Sequence, residues 1–307
     1  MEPEHPFFSL EWPPRAHTAR SMRPRLLALA LHLALTTFAC HSHEAPRSPR
    51  TRVLFVGNSY TSVNDLPALV TALAEAAGGR KIETGQHLVG ACTFERHVRE
   101  QTAIDKIRER KWDAVVLQEN SMQPILNPES MHRYARILQW EISKQGAKTV
   151  FYLTWARQHI PQMQDGADPA TSPEYARAVY QAAGGVDAIG FENWCKQHRS
   201  GLTGGLNGAY FRIARELNAS VAPIGMAWKK ALADDPNLVL YQSDRSHPTP
   251  TGSYLAACVF YATLFDKSPL GLPGELKKWP WVLVRVAPDE AKRLQEVAWQ
   301  TVQAAKR

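Results

Sequence analysis

From about residue 50 onward the chain alternates between short unbroken apolar runs and longer stretches whose apolar residues recur three and four apart. Arg52-Val53-Leu54-Phe55-Val56, stopped by Gly57, is short and β-branched, which predicts a strand buried on both faces. Asp65 to Ala77 follows at helical spacing, with Leu66, Leu69, Val70 and Leu73 on one face and Gly78-Gly79 as the stop. The same alternation predicts strands over 81–89, 113–118, 148–154 and 220–223. It predicts helices over 95–110, 130–145, 225–233, 251–265 and 288–305. Continuous apolar strands separated by long helices imply an α/β fold with a parallel sheet covered on both faces. In such sheets a ligand binds beyond the carboxyl ends of the strands. The loops after Val56, Val89, Leu117 and Leu153 are therefore expected to ring the site.

Two stretches break this pattern. Between Trp155 and Gly208, prolines and the pairs Gly184-Gly185 and Gly204-Gly205 predict a loop-rich insertion, about 155–208. Helical pieces are expected there only near 173–183 and from 208 to 217. The other exception is the N-terminus. Met22-Arg23-Pro24-Arg25, an apolar run from Leu26 to Phe38 and then Ala39-Cys40 form the pattern of a secretory signal. The run is too short for a bilayer, which needs about 20 residues. Thr37-Phe38-Ala39-Cys40 resembles a bacterial lipobox, with Thr37 where leucine is usual. That resemblance implies acylation of Cys40 and a membrane-anchored lipoprotein of the cell envelope or periplasm. Residues 1–40 are thus expected to be a signal segment, with Met22 a candidate start, and 41–50 a tether. The remainder, 51–307, is expected to be one domain.

Composition narrows the class. With 44% hydrophobic and 21% charged residues the chain suits a globular protein and not a disordered or collagen-like one. Four cysteines exclude a disulfide scaffold. With Cys40 set aside, Cys92, Cys195 and Cys258 leave at least one thiol unpaired within the chain. The net charge of +7 comes from scattered residues with no long basic run, which argues against a nucleic-acid partner. No Gly-x-Gly-x-x-Gly or Walker pattern follows a strand, which argues against a nucleotide binder. His87, His97, His132, His159 and His198 lack metal-ligand spacing, so no metal and no organic cofactor is expected.

Two short pieces carry chemistry. In Phe55-Val56-Gly57-Asn58-Ser59-Tyr60-Thr61, Ser59 falls just past a buried strand and before a helix, where its hydroxyl can face solvent. A plainer reading makes Ser62 or Asn64 a helix cap and Ser59 a turn residue. In Ser243-Asp244-Arg245-Ser246-His247-Pro248-Thr249, the Asp244 carboxylate can fix the tautomer of His247 and stabilise its protonated form. A serine brought up from elsewhere completes a nucleophilic triad. Alone, Asp-x-x-His suits a capping or metal-ligand pair equally well.

Taken together, a Gly-Asn-Ser turn after the first strand and Asp-x-x-His near the C-terminus resemble the SGNH (GDSL-like) hydrolase family. Gly57-Asn58-Ser59-Tyr60-Thr61 is similar to a bacterial subgroup of it, and the likeness spans roughly Arg52 to Phe265. It implies a flavodoxin-like three-layer α/β/α sandwich with a five-stranded parallel sheet. It implies Ser59 as nucleophile, His247 as general base and then acid, and Asp244 as the residue that orients His247. The amides of Ser59 and of Gly90, in Leu88-Val89-Gly90-Ala91-Cys92-Thr93, would form part of an oxyanion hole. The third family block usually reads Gly-x-Asn-Asp, but here it is Val116-Leu117-Gln118-Glu119-Asn120-Ser121. A neutral side-chain amide is what an oxyanion needs, and both Asn120 and Gln118 offer one. Cys92 is expected to be a packed thiol.

Trp155, after the fourth strand, is either a substrate wall or packing, and Arg157 and His159 are candidate substrate contacts. Arg245 is expected to be solvated and Trp279-Pro280-Trp281 to be a packing corner. The expected function is an exported serine esterase acting on small acyl esters, such as acetyl esters of a carbohydrate. A lipase or lysophospholipase, and a non-catalytic envelope binding protein on the same fold, are the alternatives.

Overall fold

A five-stranded parallel sheet in the order β2-β1-β3-β4-β5 forms the centre of the computed structural model, which describes residues 50–78, 81–186 and 189–306. The signal segment with Cys40 and nearly all of the tether lie outside the described residues. The strands are β1 (Thr51–Gly57), β2 (Ile82–Leu88), β3 (Ala114–Leu117), β4 (Lys148–Tyr152) and β5 (Ser220–Ala222). In chain order the helices begin with α1 (Ser59–Ser62), α2 (Leu66–Ala76), α3 (Phe94–Arg99) and α4 (Thr102–Arg108). Next come α5 (Gln123–Leu126), α6 (Pro128–Lys144), α7 (Pro173–Ala182) and α8 (Phe191–Glu216). Last are α9 (Ile224–Asp234), α10 (Pro250–Phe265) and α11 (Pro288–Ala305).

The alternation of side chains along β1 builds the two cores. Val53 and Phe55 join one hydrophobic cluster, with residues of α2, α9, α10 and α11. Leu54 and Val56 join the other, with residues of α3, α4, α6 and α8. Successive strand residues face opposite sides, so an unbroken apolar run yields helices on both faces. Each of these side chains is fully buried, which stabilises the fold by about 1.5–3 kcal/mol apiece. β1 pairs with β2 on one side and β3 on the other, with Gly57 opposite Leu88 and Val56 opposite Leu117. The chain reverses its direction of travel across the sheet here, the switch point beside which α/β sheets bind ligands.

Three elements differ from the sequence reading. The helix expected over 95–110 is two, α3 and α4, because Gln101 between them takes a left-handed backbone with φ 60°. The insertion is more ordered than expected. Residues of α5, α7 and α8 bury Ile125, Tyr175, Leu202 and Leu206 with Ile160 and Met163 in a third cluster. α8 runs 26 residues across a break at Gly205, φ 57°. A Cβ there would lie 2.3 Å from the Gly166 nitrogen, so that glycine marks backbone packed on backbone and not a loop. Finally, β6 (Glu275–Lys278) and β7 (Trp281–Arg285) form an antiparallel hairpin. Leu276 and Val284 anchor it in the core, while Trp279 at its tip is 90% exposed and Trp281 73%. The expected packing corner is therefore an exposed turn, carried beyond the core by the hairpin.

Candidate active site

The turn after β1 is held from several directions. Asn58 caps α1 by accepting from the Tyr60 amide at 3.2 Å, and its side chain donates to the Cys92 carbonyl at 3.0 Å. The Asn58 amide and the Thr61 hydroxyl both donate to Gln118 Oε1, at 2.9 and 3.0 Å. Gly57 makes this possible, since a Cβ there would sit 2.7 Å from the same oxygen. Beneath the turn, His97 Nε2 lies 3.0 Å from the Gly57 carbonyl. Burial pushes His97 down to about 4, so at neutral pH the ring is uncharged and its hydrogen must sit on Nε2 to serve that carbonyl.

The second piece is a loop closed by a bridge between Tyr241 and Pro248 and by the Gln242 amide donating to the His247 carbonyl at 2.9 Å. Inside it, Asp244 Oδ1 accepts from the amides of Ser246 and His247, both at 3.0 Å, and Oδ2 meets His247 Nδ1 at 2.5 Å. Partial burial raises the Asp244 carboxyl, but the hydrogen bonds from His247 and the two amides outweigh it and hold the group down to about 2. The carboxylate is thus ionised and fixes the imidazole hydrogen on Nδ1. His247 Nε2 then meets Ser59 Oγ at 2.8 Å. A hydroxyl on an imidazole that a carboxylate orients is the geometry for base-assisted nucleophilic attack.

Further ties join the two pieces. Tyr60 Oη meets Ser246 Oγ at 2.5 Å, and Asn64 Nδ2 donates to the Pro248 carbonyl at 3.1 Å and Ser253 Oγ at 2.9 Å. Asn64 therefore bridges the loops, and the carboxylate that caps α2 is Asp65. Trp155 donates from Nε1 to the Ser246 carbonyl at 2.9 Å. Its ring is 1% exposed and lies between Tyr60, 4.8 Å away, and Trp228, 4.0 Å away, both nearly parallel to it. Of its two readings, packing is the one the structure adopts: Trp155 supports the His247 loop from below and forms no substrate wall. Sequence reasoning gave Tyr60, His97 and Trp228 no role at the site and offered Asn64 only as a helix cap. Tyr60 and Asn64 sit close to the Ser59 motif, but nothing local marks His97 or Trp228.

The two side-chain amides part ways. Gln118 is fully buried, and its Nε2 donates to the Glu119 carbonyl at 2.5 Å, away from solvent. Asn120 is half-buried, accepts from the Met122 amide at 3.0 Å and donates to the Ala91 carbonyl at 3.2 Å. This places its NH₂ against the turn that carries Gly90. That turn is closed by the Cys92 amide on the Val89 carbonyl at 3.1 Å and holds Ala91 at φ 54°. Among the described residues, neither the Ser59 nor the Gly90 amide meets a protein acceptor. Below, buried Glu119 accepts from the Asn120 amide at 2.6 Å and the Phe94 amide at 3.1 Å. Burial raises its carboxyl to about 8 against the opposing effect of those hydrogen bonds. Cys92 is buried, and burial pushes its thiol up to about 11, as suits a packed side chain. Arg157 is half-buried and His159 exposed, both on the segment after β4, where the Gln158 amide donates to the Arg245 carbonyl at 3.0 Å.

No protein-family model matches the chain, and no curated protein matches it in sequence. Solved structures do. A DUF4886 family protein from Bacteroides uniformis superposes with a TM-score of 0.59 at 17% identity, over 84% of this chain and 97% of that one. A protein from Slackia heliotrinireducens described as a candidate SGNH hydrolase superposes with a TM-score of 0.50 at 24% identity, over 70% of this chain and 100% of that one. What this chain shares with them is the fold: a five-stranded parallel sheet flanked by helices, SGNH-like in arrangement.

Proposed function

We propose that this chain is a serine carboxylic ester hydrolase. The observation that carries the proposal is the 2.8 Å contact of Ser59 Oγ with a His247 that Asp244 orients, at the carboxyl end of β1. Ser59 Oγ attacks the acyl carbon while His247 Nε2 accepts its proton. The carbonyl oxygen becomes an oxyanion facing the Ser59 and Gly90 amides and the free hydrogen of Asn120 Nδ2. Collapse breaks the ester bond, and His247 returns the proton to the leaving alcohol. Water, deprotonated by His247, then releases the acid and restores Ser59. No step draws on a cofactor.

The narrower reading is a short acyl group, acetyl foremost, carried on an envelope carbohydrate, with the enzyme exported and anchored through Cys40. The signal-like segment and the lipobox resemblance support the location. Hydrolysis of p-nitrophenyl esters of graded chain length, with acetylated sugars alongside, tests the reading. Acetate should be preferred, and Ser59→Ala should lower kcat by about 10³-fold or more with an unchanged circular dichroism spectrum. A preference for long acyl chains would favour a lipase. A rate indifferent to Ser59→Ala would remove the triad and favour a binding protein.

A further inference from the structure

Arg157 is a cation without a counter-ion among the described residues. Its Nε is buried and meets no hydrogen-bond partner, and no carboxylate pairs with its guanidinium among the described residues. A partly desolvated, unpaired charge is costly to keep. The backbone around it is nonetheless fastened in place. The Ala156 amide donates to Gln164 Oε1 at 3.0 Å, and the Ala156 carbonyl accepts from Tyr241 Oη at 2.8 Å. On the other side, the Gln158 amide holds the Arg245 carbonyl. Arg157 is thereby fixed beside the Asp244–His247 loop, and its charge acts on the phenol of Tyr60, next to Ser59.

Two further basic groups share the neighbourhood. Arg245 is exposed on the catalytic loop and also lacks an ion pair among the described residues. His159 is exposed, and partial burial together with the charges of Arg157 and Arg245 lowers its affinity for a proton. The nearest acid in the loop, Asp244, has both oxygens committed to His247 and to backbone amides. Neither guanidinium therefore has an ion-pair partner among the described residues, and both lie on segments beside the Ser59–His247 pair.

We infer that Arg157, with Arg245 and His159, forms an anion subsite, and that the ester turned over at Ser59 carries a carboxylate, sulfate or phosphate group near the scissile bond. A guanidinium offers paired donors that match such oxyanions. The inference rests on the esterase reading for the word ester, but not for the anion site itself. The anion can sit on the alcohol or on the acyl side, and two substrate pairs separate these. One pair is 4-acetoxybenzoate against 4-acetoxybenzamide; the other is phenyl hydrogen adipate against phenyl hexanoate.

In one of the pairs, kcat/KM should favour the anion by about ten-fold or more at low salt, as a charge-assisted contact implies. About 0.5 M NaCl should shrink the ratio. Arg157→Gln should bring it to about one, and Arg157→Lys should keep part of it. Should Arg157→Gln fold poorly by near-ultraviolet circular dichroism, Arg245→Gln, on an exposed loop, should still lower the ratio. Calorimetric binding of 4-acetoxybenzoate, 4-acetoxybenzamide, phenyl hydrogen adipate and phenyl hexanoate to Ser59→Ala provides a readout without turnover. Tighter binding of an anion that is lost with Arg157→Gln supports the subsite even if neither pair is hydrolysed, an outcome that would overturn only the esterase reading. Ratios near one in both pairs, or a preference unmoved by the arginine substitutions, overturn the subsite.

Discussion

Replacing Gln118 and Asn120 separately should split stability from rate. Gln118→Ala removes the acceptor of two donors, the Asn58 amide and the Thr61 hydroxyl, in a position with no solvent access. A buried donor left unpaired costs about 1–3 kcal/mol. The two losses share one oxygen and do not simply add, so a total of about 3–5 kcal/mol is expected once the lost side-chain packing is included. Asn120→Ala removes two hydrogen bonds at a half-buried position, worth about 0.5–1.5 kcal/mol each. If its second Nδ2 hydrogen serves the oxyanion, the same substitution raises the barrier by about 3 kcal/mol, or 10²–10³ in kcat. The assay is paired: urea unfolding for stability, and p-nitrophenyl acetate hydrolysis per folded molecule for rate. Gln118→Ala should lose about 3–5 kcal/mol of stability and less than about ten-fold in kcat, because its bonds position the turn and do not touch the reacting atoms. A collapse of kcat in Gln118→Ala at unchanged stability, with Asn120→Ala near wild type, would refute the division.

Asp244→Asn should lower kcat by about 10³–10⁴-fold, because a carboxamide no longer enforces the Nδ1–H tautomer of His247; a loss under ten-fold would show that the imidazole is oriented some other way. Trp155→Phe keeps the ring between Tyr60 and Trp228 but loses the bond to the Ser246 carbonyl. It should cost about 1 kcal/mol by urea unfolding, against about 3–5 for Trp155→Ala. Glu119, raised to about 8 by burial, binds a proton in the folded state more tightly than when unfolded. Its contribution is therefore complete below the unfolded value near 4.3 and lost as pH rises through about 8, at up to about 1.4 kcal/mol per pH unit. Urea midpoints of the wild type should fall between about pH 5 and 8 more steeply than those of Glu119→Gln; equal slopes would show that Glu119 does not titrate there.

Much of the fold was legible because its signals are local. The five strands of the sheet and the helices between them follow from periodicity, and Ser59, Asp244 and His247 from short motifs whose residues the structure brings into contact. The misread elements were those where one residue outweighed the pattern. Gln101 breaks a well-patterned helix through its backbone conformation, and Gly205 looked like a loop although it lets two backbones touch. The β6–β7 hairpin was missed because its strands are only four and five residues long and the Trp279-Pro280-Trp281 turn was read as a packing corner, and so the exposure of Trp279 was missed with it.

By itself, the sequence determined the alternation of strand and helix, the position of the Ser59 turn at a strand's carboxyl end, and the spacing that lets Asp244 reach His247. These depend on residues a few positions apart. Only the tertiary structure buried Gln118 beneath the Ser59 turn, set Asn120 against the turn that carries Gly90, buried Trp155 under the loop, and left Arg157 without a counter-ion among the described residues. The placements of Gln118 and Trp155 turn on partners far along the chain: Gln118 meets Asn58 across 60 positions, and Trp155 meets Ser246 across 91. Where a side chain points depends on which groups the packed sheet sets opposite it, and a residue's own neighbours in sequence carry no record of that.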